Sequence, residues 1–199
     1  MSENNAIMQG GSVAESCVLQ ISDLHKSYGS HPVLEGVSFS IPRGKIVGLL
    51  GPNGCGKSTI MKMISGLLPA DNGSILIDGH LPGLVSKSIV SYLPERTYLN
   101  DWMKVSEVLQ FFSDFYADFD LERAQQMLAD LHLSPNTRLK TMSKGTKEKV
   151  QLILVMSRRA QLYLLDEPFA GVDPQRADRI LSALGELAAP VILVSHEPA

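Results

Sequence analysis

Residues 51–59 read GPNGCGKST and follow the apolar run KIVGLL. Gly51, Gly56, Lys57 and Ser58 stand at a spacing that suits a polyphosphate. Glycine lets the backbone curl so that several N–H groups converge on one anion. In such a loop the lysine reaches the β- and γ-phosphates and the serine hydroxyl ligates Mg²⁺. The residues that follow, STIMKMISGLL, put Ile60, Met63, Ile64, Leu67 and Leu68 on one helical face. The positive end of that helix would face the same anion. A second constellation lies at LYLLDEP, where an apolar strand delivers Asp166 and Glu167. Asp166 is suited to hold Mg²⁺, directly or through water. Glu167 is suited to orient or deprotonate an attacking water. At the end of PVILVSH, His196 leaves a second apolar strand on the phosphate side, where an imidazole can sense or stabilise a γ-phosphate.

These groups need a scaffold. KIVGLL, LYLLDEP and PVILVSH are near-continuous apolar runs alternating with helical patterns, which predicts a parallel sheet covered on both faces. Such a sheet presents ligand-binding residues at the carboxyl ends of its strands. From Val18 to Ser40 the pattern is different: VLQISDL and VSFSI read as short strands, and GSILIDG adds another that ends in an Asp-Gly turn. After Gly83 the period becomes helical. Val105, Val108, Leu109, Phe112 and Tyr116 form one stripe, and Leu121, Ala124, Leu128 and Leu131 form a second. The aromatic residues on the first stripe read as core rather than a base-stacking surface. KEKVQLILVMSRRA reads as a third helix, and Asp173 with Pro174 as the start of a fourth that runs to about Leu187.

The chain of 199 residues can bury one substantial core, or a core plus a small subdomain. Its net charge of −3 does not advertise a nucleic-acid partner. Hydrophobic residues reach 44%, yet no run approaches the ~20 apolar residues of a membrane span. Residues 1–17 lack a basic start and an apolar segment, so they read as a flexible tail rather than a secretory signal. Cys17 and Cys55 suggest no disulfide framework, and a reducing cytoplasm is the simplest compartment.

From Val18 to His196 the chain resembles the ABC ATPases, the nucleotide-binding subunits of ATP-driven transporters. GPNGCGKST resembles their Walker A motif and LYLLDEP their Walker B motif with its catalytic glutamate. FAGVDP resembles the D-loop, centred on Asp173, and VSH the switch histidine. Tyr28 resembles the aromatic residue that stacks on adenine. MSKGTKEKV resembles the signature motif, usually Leu-Ser-Gly-Gly-Gln; here Ser143 and Gly145 keep their identities while Met142, Lys144 and Thr146 depart from it. A second departure is Glu95, which stands after VSYLP where the family has a glutamine. Glutamate can ligate Mg²⁺, but it also brings negative charge toward the triphosphate. A third is that the chain stops three residues after His196, before the further strand and helix usual in the family.

The resemblance implies an α/β fold: a P-loop NTPase core with a mostly parallel sheet, an N-terminal antiparallel β subdomain, and a helical insertion over about 96–158 that carries the signature, all within residues 18–199. It implies ATP hydrolysis with Mg²⁺, with catalytic roles for Lys57, Glu167 and His196. Nucleotide contacts fall on Tyr28, Gly51, Asn53, Gly54, Cys55, Gly56, Lys57, Ser58, Thr59, Ser143, Gly145 and Asp173, and metal contacts on Ser58, Asp166 and Glu95. Two subunits would sandwich two ATPs head to tail, as a homodimer or pseudo-symmetric pair. An integral membrane permease would complete the assembly, with this chain cytoplasmic and peripheral on the inner face of the cell membrane. The substituted signature and short separate chain point toward exporters. A soluble ABC ATPase coupled to another process is the alternative, though such proteins commonly carry two cassettes or a long coiled insertion. A P-loop small-molecule kinase would lack the signature and the switch histidine.

Overall fold

The computed structural model describes residues 17–168 and 189–195. Residues 1–16 of the expected tail, Asp173 and its expected helix, and His196 lie outside the described residues, while Cys17, read as the end of the tail, opens the first strand. Strands β1 (Cys17–Tyr28) and β2 (His31–Pro42) form a hairpin whose tip pairs Tyr28 with His31. After β3 (Ile46–Leu50) and α1 (Lys57–Ile64), strand β4 (Asn72–Ile77) returns to the other side of β1. This gives an antiparallel sheet in the order β2-β1-β4.

The remaining elements are α2 (Leu84–Ile89), β5 (Val90–Leu93), α3 (Val105–Phe115), α4 (Leu121–Asp130), α5 (Lys144–Met156), β6 (Leu162–Asp166) and β7 (Val191–Ser195). Strands β3, β7, β6 and β5 pair in that order, each pairing parallel. The carboxyl ends of these strands therefore share one edge, as the apolar runs predict. Asp166 lies opposite Val194, and Leu93 opposite Leu165, so the residues after β3, β5 and β6 leave at that edge.

One core cluster joins the two sheets through α1: Ile60, Met61, Met63 and Ile64 pack with Leu19, Ile21, Leu164 and Val194. A second lies within the helices, where Val105, Val108, Leu109 and Phe112 meet Ala124, Leu128, Val150 and Ile153. Helix α5 belongs to both layers, because its Leu152, Val155 and Met156 pack on Tyr163 and Leu165 of β6. Residues Val150 to Met156 are all buried, so the helix is a bridge rather than a surface element.

Several local expectations need correction. Leu67 is not on the buried face of α1; the helix ends at Ile64, and Gly66, at φ +70°, turns the chain and leaves Leu67 65% exposed. β3 is half-buried rather than buried: Val47 and Leu49 face the core while Ile46 and Leu50 are exposed. Leu131 lies just past α4 and is also exposed. On α3 the stripe residue Phe112 is core, but the off-stripe Phe111 and Phe115 are exposed and stack on each other at 6.1 Å.

Candidate functional site

The loop between β3 and α1 is shaped by its glycines and by one buried cation. Gly56 caps α1 at φ +94°. A Cβ there would lie 2.7 Å from Leu34 Cδ2 and 3.2 Å from the Val33 carbonyl oxygen, so the position demands glycine twice over. Lys57 is 5% exposed, and its ammonium donates to the carbonyls of Gly51 at 2.6 Å and Pro52 at 3.0 Å. The charge is thus folded back under the loop it serves. No side chain caps α1 and no acidic residue occupies its first turn. Its first N–H groups and dipole are left for an anion.

The paired sheet brings the carboxylates to this helix. Asp166, 2% exposed, accepts a hydrogen bond from Ser58 Oγ at 3.3 Å. Two residues 108 positions apart thereby form one hard-oxygen pair. Glu167 occupies the next position at φ +55°, where its N–H donates to Val194 O at 3.1 Å and ties the turn to β7. Glu95 follows β5 on the same edge and is exposed. Burial, with the Asp166 and Glu95 carboxylates acting in the same direction, pushes the Tyr92 phenol well above its ordinary value.

The hairpin tip closes the other side. Tyr28, 51% exposed, lines a cleft of about 250 Å³ together with Val33, Gly54, Gly56, Lys57, Ser58 and Thr59. A half-exposed aromatic ring beside a phosphate loop is placed to cover a base. Asn53 and Cys55 are exposed in the same loop.

Comparison with known proteins identifies the scaffold. The family model described as "ABC transporter" matches residues 34–170, which spans the loop, the helices and the Asp166–Glu167 strand. The chain belongs to the ABC transporter family. Proteins of this family bind and hydrolyse ATP, and their ATP-binding subunits pair with membrane permease subunits. Among curated relatives, the linearmycin resistance ATP-binding protein of Bacillus subtilis (strain 168) is 34% identical over 90% of this chain. This chain spans 61% of that relative's length. The SkfA peptide export ATP-binding protein of the same organism is 38% identical over 78% of this chain and 68% of its own length. A solved ATP-binding subunit of an ABC transporter superposes with a TM-score of 0.82 at 31% identity, over 90% of this chain and 79% of that one.

The residues that resemble the ABC signature stand apart from this cleft. Ser143 caps α5, its Oγ accepting from Thr146 N at 3.2 Å and sharing a 2.8 Å hydrogen bond with Thr146 Oγ1. Thr146, which departs from the usual motif, thus holds the serine in place. Ser143 and Gly145 are both exposed, and neither lines the cleft around Lys57. The donor set fits a magnesium nucleotide. Ser58 and Asp166 are hard oxygen ligands, and Mg²⁺ characteristically takes one or two such protein groups and completes its shell with phosphates and waters. No cluster of three or more His, Cys, Asp or Glu suited to a metal occurs among the described residues. No helix among them is long and apolar enough to cross a membrane. Sequence reading did not single out Tyr92, Val33 or Leu34. Tyr92 stands immediately before the Leu-Pro that precedes Glu95, and only the sheet register shows what it faces.

Proposed function

We propose that the chain is the ATP-hydrolysing subunit of an exporter-type ABC transporter. The observation that carries the ATPase reading is the Ser58–Asp166 contact beside buried Lys57. In this reading Tyr28 covers adenine, and Lys57 with the N–H groups of Gly54, Gly56 and α1 holds the β- and γ-phosphates. Gly51, Asn53, Cys55 and Thr59 complete the loop. Ser58 and Asp166, with Glu95 nearby, hold Mg²⁺, which when bound neutralises charge on the phosphate oxygens. Glu167 accepts the proton of the attacking water. His196, outside the described residues, stabilises the γ-phosphate, and Asp173 contributes across a dimer.

Residues 18–199 act as one ATPase domain in which about 96–158 form a helical subdomain. Ser143 and Gly145 are exposed at a helix N-terminus, which supports a head-to-tail dimer in which they complete the partner's phosphate site. Export is supported by relatives named for peptide export and lipopolysaccharide export, alongside a relative named for manganese transport. A membrane permease is the expected partner, with this chain on the cytoplasmic side.

Mixed lesions test the shared site. A dimer of one Lys57→Ala chain with one Ser143→Arg chain concentrates both lesions in one site. A double mutant paired with wild type puts one lesion in each. With wild-type homodimers removed by orthogonal tags, the first dimer retains ATPase activity and the second does not. Equal activities in confirmed dimers would refute the shared site.

A further inference from the structure

Tyr28 stands at the end of a strand that outruns its support. β1 pairs with β4 as far as His25, which lies opposite Asn72, the first residue of β4. Lys26, Ser27 and Tyr28 therefore extend past that neighbour. Their other neighbour, β2, is irregular there. The register shifts between Lys26, opposite Leu34, and Ser27, opposite Pro32, so Val33 is an extra residue in β2. Pro32 has no N–H to give to the ladder. A two-stranded arm of this kind is only marginally ordered by its own pairing. Yet it carries the half-exposed ring that lines the cleft with Gly54, Gly56 and Lys57.

Asp71, the residue before β4, supplies the missing support. Its N–H donates to His25 O at 3.1 Å. Its carboxylate accepts from Lys26 Nζ at 2.5 Å through Oδ1 and from Ser27 N at 2.7 Å through Oδ2. One residue thus holds the three that precede Tyr28. Lys26 is buried along its stem, and its ammonium ends on Asp71. A hydrogen bond from a main-chain N–H to a carboxylate is stronger than the neutral ladder bond it replaces. Asp71 also lies in the segment that joins α1 to β4, and the start of that segment is bonded back to the helix by Ser65 N to Met61 O and Leu67 N to Lys62 O. The N-terminus of α1 faces the phosphate loop, while the segment trailing its other end grips the arm of Tyr28.

Building on the reading of Tyr28 as the residue that covers adenine, we propose that Asp71 is a positioning residue for the nucleotide base. It anchors β1 at Lys26 and Ser27 and so holds the Tyr28 ring in place over the cleft. The groups assigned to the triphosphate, Lys57 and the N–H groups of the loop, make no contact with Asp71 among its hydrogen bonds. Loss of Asp71 therefore weakens recognition of the base and leaves recognition of the phosphates intact.

The test uses two magnesium-bound probes, a non-hydrolysable ATP analogue and inorganic tripolyphosphate. Their binding to the full chain is measured by isothermal titration calorimetry for wild type, Asp71→Ala, Asp71→Asn, Tyr28→Ala and the double variant of Tyr28→Ala with Asp71→Ala. Circular dichroism confirms folding. Loss of a base–aromatic stack weakens binding about 5-fold or more, and Asp71→Ala is expected to cost about 5-fold for the analogue and nothing for tripolyphosphate. Asp71→Asn, which still offers an oxygen to Ser27 N–H, is expected to cost less for the analogue and again nothing for tripolyphosphate; it is judged by the same split between probes if Asp71→Ala does not fold. In the Tyr28→Ala background, Asp71→Ala has no further effect. An equal loss for both probes, or a further loss in the Tyr28→Ala background, overturns the inference. Tyr28→Ala that weakens the analogue while Asp71→Ala leaves it at the wild-type level overturns this inference alone. Tyr28→Ala that binds the analogue as wild type does overturns the adenine reading of Tyr28 and this inference with it.

Discussion

Arg158 clamps the helical layer to the nucleotide-binding sheet, and removing it should be costly. Its side chain is 4% exposed. Its guanidinium donates to the carbonyls of Val90 at 2.9 Å and Ser88 at 2.7 Å, at the α2–β5 junction. It also forms a forked pair with Asp118 at 3.0–3.2 Å and lies 3.9 Å from the Tyr116 ring centre. In Arg158→Met the aliphatic stem is kept, while two carbonyls and one carboxylate lose their donors. Breaking a buried pair from one side costs about 3–5 kcal/mol. Asp118 is 26% exposed, so water takes over part of its solvation and the lower end applies. For a chain of this size about 3 kcal/mol lowers Tm by about 6–12 °C. Arg158→Lys should recover only part of this, because an ammonium cannot serve three acceptors in the planar fork. Differential scanning calorimetry on the three proteins, with far-ultraviolet circular dichroism to confirm folding, is the assay. A fall below about 2 °C for Arg158→Met, or full recovery with lysine, would refute the clamp.

Three further expectations concern the site. Glu167→Gln should keep ATP binding while turnover falls ~10²–10⁴-fold; phosphate release and nucleotide binding measured on one sample decide it, and turnover within a few-fold of wild type would remove Glu167 as the base. Tyr28→Ala should raise KM for ATP more than it lowers kcat, since stacking of about 1–3 kcal/mol holds ground and transition states alike; a dominant fall in kcat would assign Tyr28 another role. Cys55, exposed in the phosphate loop with its Sγ 3.8 Å from Lys57 Nζ, should react with a maleimide and inactivate the enzyme, and Mg-ATP should protect it. Labelling followed by mass spectrometry checks this, and labelling indifferent to nucleotide would place Cys55 away from the bound phosphates.

The phosphate loop and the Asp166–Glu167 strand were legible from sequence because their constraints are local. A glycine that must hold a positive φ, a lysine at fixed spacing and a five-residue apolar strand each carry their reason within a few residues. The N-terminal strands and helices α3 and α4 were legible for the same reason: hydrophobic period follows from burying one face, whereas α5 is buried all round from Val150 to Met156. Helix α2 and strand β5 were not read as elements. Each is short, six and four residues, too short to display a period. Leu67 and Leu131 were read as buried because a helical period continues on paper past the point where the chain turns. Tertiary structure alone decided which distant residues meet. Ser58 reaches Asp166 because β3 and β6 flank β7 in one parallel sheet, and Tyr28 reaches the loop because a hairpin tip leans on Gly56. Tyr92 gained its neighbours only through the β5–β6 register, which depends on pairing across about seventy residues of intervening chain and leaves no trace in any local window.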